Sequence, residues 1–194
     1  MAEHRKVGMV FQDSRLFPHL SVEKNLLLAQ KQVKNPSVSI AKLCDDFSIT
    51  ALLNKSANQL SAGQQQRVAI VRSLLAQPQL LLLDEPLSAL DHQAKKQLMA
   101  ALKEFSAQHS LPMLYVSHSP TELAYLCDQL LIIKEGVMVD FGNAKELLTA
   151  QGLLGHQGKI VNINHASNQV TIELSAIDYS NLTNCDRVYL INKN

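Results

Sequence analysis

The sequence predicts an α/β protein with a parallel sheet, a helical subdomain near its start and a short β-rich tail. Three observations carry this prediction. Between residues 80 and 134, apolar runs of strand length alternate with amphipathic helical stretches, the pattern of strands joined by crossover helices. One of those runs is four consecutive leucines at 80–83, which suits a strand buried on both faces better than an amphipathic helix. After Gly152, glycines punctuate the chain and alternation replaces the helical period.

Residues 7–11 (VGMVF) read as a short strand. Residues 12–21 are polar, contain Pro18 and read as a loop. A helix follows over about 22–31, with Leu26, Leu27 and Gln30 toward one side. Residues 34–39 break it, a second amphipathic helix covers 40–47, and Leu52-Leu53 marks a short helical turn. Ser61 opens the next helix, because Ser61 and Gln64 have the spacing of a capping box. Val68, Val71 and Leu75 form its buried stripe, and it ends near Gln77-Pro78. The strand at 80–83 runs into Asp84-Glu85-Pro86, where the proline stops it.

Residues 91–107 are helical, with Ala94, Leu98, Ala101, Leu102 and Phe105 at core spacing. A strand at 113–117 precedes a second capped helix start, in which Ser119 caps, Pro120 takes the first position and Glu122 the third. Residues 129–134 read as a strand, Glu135-Gly136 as a tight turn, 137–141 as a further strand and 144–150 as a closing helix. Gly152, Gly155 and Gly158 mark a linker, and 159–164 with 169–174 alternate like a hairpin. The predicted organisation is one domain over 1–150, with its helical subdomain at about 18–76, and a linker with a small β domain beginning in 151–194.

Composition narrows the function classes. A length of 194 residues corresponds to about one domain with a small appendage. Eighteen Lys and Arg against seventeen Asp and Glu leave a net charge of +1, which argues against a dense basic face for nucleic acid. Apolar residues at 46% and charged residues at 18% suit a globular core. Cys44, Cys127 and Cys185 are three in number, widely spaced and outside any CxxC, so neither a disulfide framework nor a zinc knuckle is predicted. No stretch approaches the roughly 18–20 apolar residues of a membrane helix.

Four places carry candidate chemistry. LLLLDE at 80–85 delivers two acids to the C-terminal edge of a strand, where open α/β sheets bind ligands. Asp84 is placed to hold magnesium, and Glu85 to orient or deprotonate a water attacking a phosphate. LSAGQQQ at 60–66 puts Ser61, Gly63 and Gln64 at a helix start, whose unpaired amides and positive dipole end suit an anion. His118 ends a strand before a capped helix, where an imidazole can hydrogen-bond a phosphate. Gln12 follows a strand in the same way and is a candidate contact to the metal or the attacking water.

Together these segments resemble the ATP-binding cassette (ABC) ATPases over about residues 6–148. VFQD at 10–13 is similar to the family's Q-loop, LSAGQ at 60–64 to its signature sequence, and 80–85 to Walker B with the catalytic glutamate. SALD at 88–91 is similar to the D-loop, and His118 to the switch histidine. Two stretches, FQDSRLFPH at 11–19 and LPMLYVSHS at 111–119, are similar to the ATPase subunits of molybdate importers.

The resemblance implies a P-loop NTPase core, ATP and Mg2+ as ligands, and two subunits facing each other head to tail. It implies nucleotide contacts from Gln12, Ser61, Gly63, Gln64 and Asp91, magnesium contacts from Asp84 and Gln12, and catalytic roles for Glu85 and His118. It further implies transmembrane permease partners that dock on the helical stretch at 18–55, a peripheral place on the cytoplasmic face of the inner membrane, and no nucleic-acid partner. The tail then corresponds to the start of a small β-barrel domain.

Two departures stand out. Ala62 replaces a signature glycine, and no G-x-x-x-x-G-K-[ST] occurs anywhere in the chain. The nearest approach, Gly158-Lys159, has Ile160 where the hydroxyl belongs. On the resemblance, the sequence is an incomplete ATPase core, truncated and inactive alone. The alternative is a non-hydrolysing domain that acts as a binding or regulatory partner of an intact ATPase.

Overall fold

A computed structural model describes residues 6–154, together with the backbone of 158–164 and 169–174. By contacts the chain divides into two units, 1–148 and 149–194.

In the first unit, β1 (Val7–Val10), β2 (Leu80–Asp84) and β3 (Met113–Val116) form a parallel sheet in that order, with β2 central. Val10 lies opposite Leu83, and Asp84 opposite Val116. All three strands therefore end at the same edge. Between β1 and β2 run α1 (Val22–Gln30), α2 (Ile40–Asp46), two 3-10 turns (Thr50–Leu52 and Ala57–Gln59) and α3 (Ala62–Leu75). Then α4 (His92–His109) links β2 to β3, and α5 (Pro120–Leu126) follows β3. The chain continues as β4 (Gln129–Lys134), β5 (Val137–Asn143) and α6 (Ala144–Ala150). In the second unit, β6 (Gly158–Asn164) and β7 (Gln169–Leu174) pair antiparallel, as the alternation predicts.

The core forms around α3. Its Val68, Ala69, Ile70, Val71, Leu74 and Leu75 are all buried, so this helix is enclosed on most sides rather than along one stripe. It packs against β1, α1 and α2. At Gly8 an added Cβ would stand 2.5 Å from the Ser73 hydroxyl and 3.0 Å from Pro78, so the glycine is what lets β1 lie so close to α3. Val10, Leu81, Leu83 and Tyr115 face the helices, joined in one core by Leu98, Leu102 and Phe105 of α4. Ser21, Ser39, Ser61, Asp91 and Ser119 each accept a hydrogen bond from a backbone amide of the helix they precede.

Three expectations are corrected. The leucine strand is not buried on both faces: Leu81 and Leu83 are buried, while Leu80 and Leu82 are half-buried. Val7 (43% exposed), Met9 (46%), Leu114 (58%) and Val116 (49%) share that second face by register, and no described element covers it. The strand at 129–134 does not join the parallel sheet. It pairs with β5 through the tight turn at Glu135 and Gly136, because an adjacent antiparallel partner satisfies its backbone locally. In α1, Leu26 is buried but Leu27 is exposed, and the buried position beside Leu26 belongs to Asn25.

Candidate functional site

Each strand of the parallel sheet ends on a candidate residue or has one within two positions of its end. Gln12 follows β1, Asp84 ends β2 with Glu85 next, and His118 lies two residues past β3. This is a consequence of register. Strands aligned in parallel, with Val10 beside Leu83 and Asp84 beside Val116, must release their following residues at one rim.

Glu85 and His118 are in direct contact. The His118 backbone amide donates to Glu85 Oε1 at 2.9 Å, and the His118 ring Nε2 lies 3.5 Å from the same oxygen. The backbone builds this pairing. The Glu85 amide donates to the Val116 carbonyl at 3.0 Å, which extends the β2–β3 ladder past the last strand residue. Glu85 then turns into the left-handed region, with φ +46°, which ends the strand and lifts its carboxylate toward β3. Ser88 steadies the turn, since its amide and hydroxyl donate to the Glu85 carbonyl at 3.3 and 3.0 Å. The Glu85 side chain is 20% exposed and that of His118 98%, so the acid is sheltered and the imidazole stands in solvent. Asp84 is exposed beside them.

Gln12 is exposed and lines an open cleft of ≈ 410 Å³ that also includes Asp13, Ser14, Ala62, Gln65 and Ala89. The cleft therefore joins the segment after β1 to the start of α3 and to the turn after Glu85. Gln66, which sequence patterning passes over, holds this arrangement. It is 3% exposed, and its side-chain amide donates to the Phe11 carbonyl at 3.0 Å, pinning the residue before Gln12. Gln65 accepts from Ser14 at 3.2 Å and donates to Ala57 at 3.1 Å. Their only sequence signal is polarity on what is otherwise a buried helix face.

At the start of α3 the capping box forms as the spacing predicts. Gln64 N–H donates to Ser61 Oγ at 3.3 Å, and Ser61 N–H to Gln64 Oε1 at 3.1 Å. The amides of Ala62 and Gly63 have no intrahelical acceptor at this position. Gly63 is buried, and an added Cβ would meet Leu90 at 2.9 Å and the Ala89 carbonyl at 3.2 Å. Packing against the 88–91 turn thus accounts for the glycine at this position. Asp91 sits at the end of that turn and caps α4, accepting from Ala94 N–H at 2.8 Å.

Behind the rim lies a carboxylate that the sequence suggests only as a cap. Glu122 is 3% exposed and accepts from Lys95 Nζ at 2.9 Å, Tyr115 Oη at 2.8 Å and Ser117 Oγ at 2.9 Å. It does not close a capping box, because Ser119 N–H donates to Ser117 Oγ instead. Burial pushes its carboxyl up, but the hydrogen bonds from Lys95, Tyr115 and Ser117 outweigh burial and hold it below the ordinary glutamate value. Burial, then the neighbouring Glu122, pushes the Tyr115 phenol far up.

No group of three His, Cys, Asp or Glu that could hold a metal occurs among the described residues. Magnesium fits a lesser donor set, because it takes one or two protein oxygens and completes its shell with phosphate and water. The exposed Asp84 carboxylate and the Gln12 amide are compatible with that. No helix of the described residues is long and apolar enough to cross a membrane.

Residues 1–88 match the family model described as ABC transporter. The chain is 43% identical over 152 residues to the molybdenum import ATP-binding protein ModC of Saccharophagus degradans, covering 77% of this chain and 42% of that protein. It is 47% identical over 140 residues to ModC of Haemophilus ducreyi, covering 72% of this chain and 39% of that one. The match thus spans about two fifths of the length of these curated relatives.

Among solved structures, the ATP-binding cassette MJ0796, in a dimeric post-hydrolysis state with ADP and Pi, superposes with a TM-score of 0.65 at 27% identity. That match covers 72% of this chain and 63% of the other. CbiO1 from Clostridium perfringens, part of the ABC transporter complex cbiONQ, gives 0.64 at 30% identity, covering 75% and 60%. Residues 1–88 thus carry an ABC transporter domain, and the chain is a homologue of molybdenum-import ATP-binding proteins.

Proposed function

We propose that this chain is part of the ATP-hydrolysing subunit of an importer, with molybdate as the transported solute. The contact between Glu85 and His118 at the rim, beside Asp84, is the observation that carries the reading. A sheltered carboxylate next to an exposed imidazole suits the polarisation of a water for attack on a terminal phosphate. In this reading Glu85 orients and deprotonates the water, and His118 hydrogen-bonds the phosphate. Asp84 and Gln12 hold magnesium, which when bound offsets the charge of the phosphate oxygens.

The start of α3 faces a nucleotide held by a second subunit. Ser61, Gly63 and Gln64 contact it there, with the Ser61 hydroxyl, the unpaired Gly63 amide and the positive helix end turned to its phosphates. Asp91 approaches the same nucleotide from the end of the 88–91 turn. The molybdate assignment is supported by identities of 43 and 47% to molybdenum-import proteins. The helical stretch at 18–55 receives the permease subunits, which places the protein peripherally at the cytoplasmic face of the membrane. Residues beyond 151 begin a small β domain.

The test is Glu85→Gln in a subunit that joins this segment to a phosphate loop. Steady-state ATP turnover falls about 10²–10⁴-fold while nucleotide binding is kept, the usual effect of removing a general base. Near-normal turnover overturns the role of Glu85. For the 194 residues alone, which contain no G-x-x-x-x-G-K-[ST], titration with labelled ATP gives weak or no binding.

A further inference from the structure

Glu122 takes no part in the chemistry proposed above, yet it is the most heavily hydrogen-bonded acid among the described residues. Its partners come from three elements: Lys95 from the first turn of α4, Tyr115 from β3, and Ser117 from the turn after β3. Ser117 is the hinge of the arrangement. Its hydroxyl donates to Glu122 Oε2 and accepts from Ser119 N–H at 3.1 Å, so both neighbours of His118 are tied down. The amide between those anchors, that of His118, is the one that donates to Glu85.

We infer that Ser117 and Glu122 are positioning residues, which hold the 117–119 turn so that the His118 amide is presented to the Glu85 carboxylate. A hydroxyl that gives one hydrogen bond inward and accepts one from the chain two residues on fixes the orientation of the peptide between them. A buried carboxylate is the acceptor for this, because its site is set by two other donors and does not shift when Ser117 moves. Lys95 extends the arrangement to the start of α4, one turn past Asp91, so the turn at 88–91 and the turn bearing His118 share one buried anchor. The geometry stands on the chain alone. Its meaning for catalysis rests on the proposed reading of Glu85 and His118.

The experiment is nitrogen-15 NMR of the 194-residue chain without nucleotide, following the His118 amide shift and its hydrogen-exchange rate. Ser117→Ala moves the amide upfield and speeds its exchange about tenfold, the loss expected for a hydrogen bond to a charged acceptor. Ser117→Thr keeps the hydroxyl and leaves both readouts near those of the parent chain. Tyr115→Phe removes another donor to the same Glu122 oxygen without touching the turn, so it lowers stability and leaves the His118 amide in place. An unmoved amide in Ser117→Ala overturns the inference, as does an equal response in Tyr115→Phe. Because no nucleotide is present, these results are independent of ATP turnover. A displaced amide combined with retained turnover in the phosphate-loop subunit leaves the positioning intact and removes the catalytic reading of His118.

Discussion

Replacing Glu122 by glutamine tests how a buried anion is held behind the rim. The isostere keeps the shape and removes the charge. Glu122 Oε2 accepts from Tyr115 and Ser117, and Oε1 from Lys95. A glutamine oxygen in the Oε2 place keeps two acceptor bonds, now to a neutral group, and turns its amide toward the Lys95 ammonium. Two donors then face each other. Breaking a fully buried pair costs about 3–5 kcal/mol. The Lys95 side chain is 29% exposed and can turn to solvent, so the loss at neutral pH is nearer ~2 kcal/mol.

The pH dependence gives a sharper test. The Glu122 carboxyl is held below its ordinary value of 4.5, so folding favours the carboxylate. Its stabilisation is complete above that value and is lost as pH falls through the lower value in the folded protein. Urea unfolding of both chains at pH 7 and at steps from 4.5 down past the lower folded value therefore shows a gap that closes as acid is added. A gap that stays constant across this range refutes the argument, because the effect would then not come from the charge.

Three further outcomes are expected. Gly63→Ala gains about 1 kcal/mol of helix propensity but forces Leu90 and the Ala89 carbonyl away, an overpacking cost of about 1–3 kcal/mol. The net is a modest loss of stability with shifted amide resonances at 88–91, and a gain in stability with those resonances unmoved would contradict the packing. Asn25→Ala strands the Phe17 amide, which Asn25 Oδ1 accepts at 2.9 Å, and lowers unfolding stability by about 1–3 kcal/mol in urea. A loss below ~0.5 kcal/mol would mean that water takes over the loop. The purified 194-residue chain self-associates through the face bearing Met9 and Leu114, and Met9→Lys with Leu114→Lys shifts sedimentation toward monomer. Unchanged association in the double variant assigns it elsewhere.

Much of the fold could be read in the sequence because its elements follow local rules. Serine caps, the proline at the start of α5 and the leucine run at 80–83 signal their own boundaries, and each has its counterpart in the structure. The separate pairing of 129–134 was not legible, since the same apolar hexamer suits either a parallel or an antiparallel neighbour and only tertiary competition decides. The burial of Leu80 and Leu82 failed for a related reason: a run of leucines reports what a strand can bury, not what covers it.

At the site, the convergence of Gln12, Asp84, Glu85 and His118 at one rim follows from parallel strands of matched length. The supporting residues were hidden. Glu122 mimics a capping acid, Gln66 sits in a helix whose face is set by long-range packing, and Asn25 resembles any polar residue between leucines. Each is identified only by its partners, which lie 4 to 55 positions away in sequence.

The parallel register divides labour along each strand. Val10, Leu81, Leu83 and Tyr115 hold the scaffold from within, while the residues just past the tips contribute nothing to that interior. Selection can therefore rewrite the tips while the body of the sheet is conserved for its own reasons. On the proposed reading, a lineage that abandons the chemistry would lose the rim first and keep the architecture long afterwards.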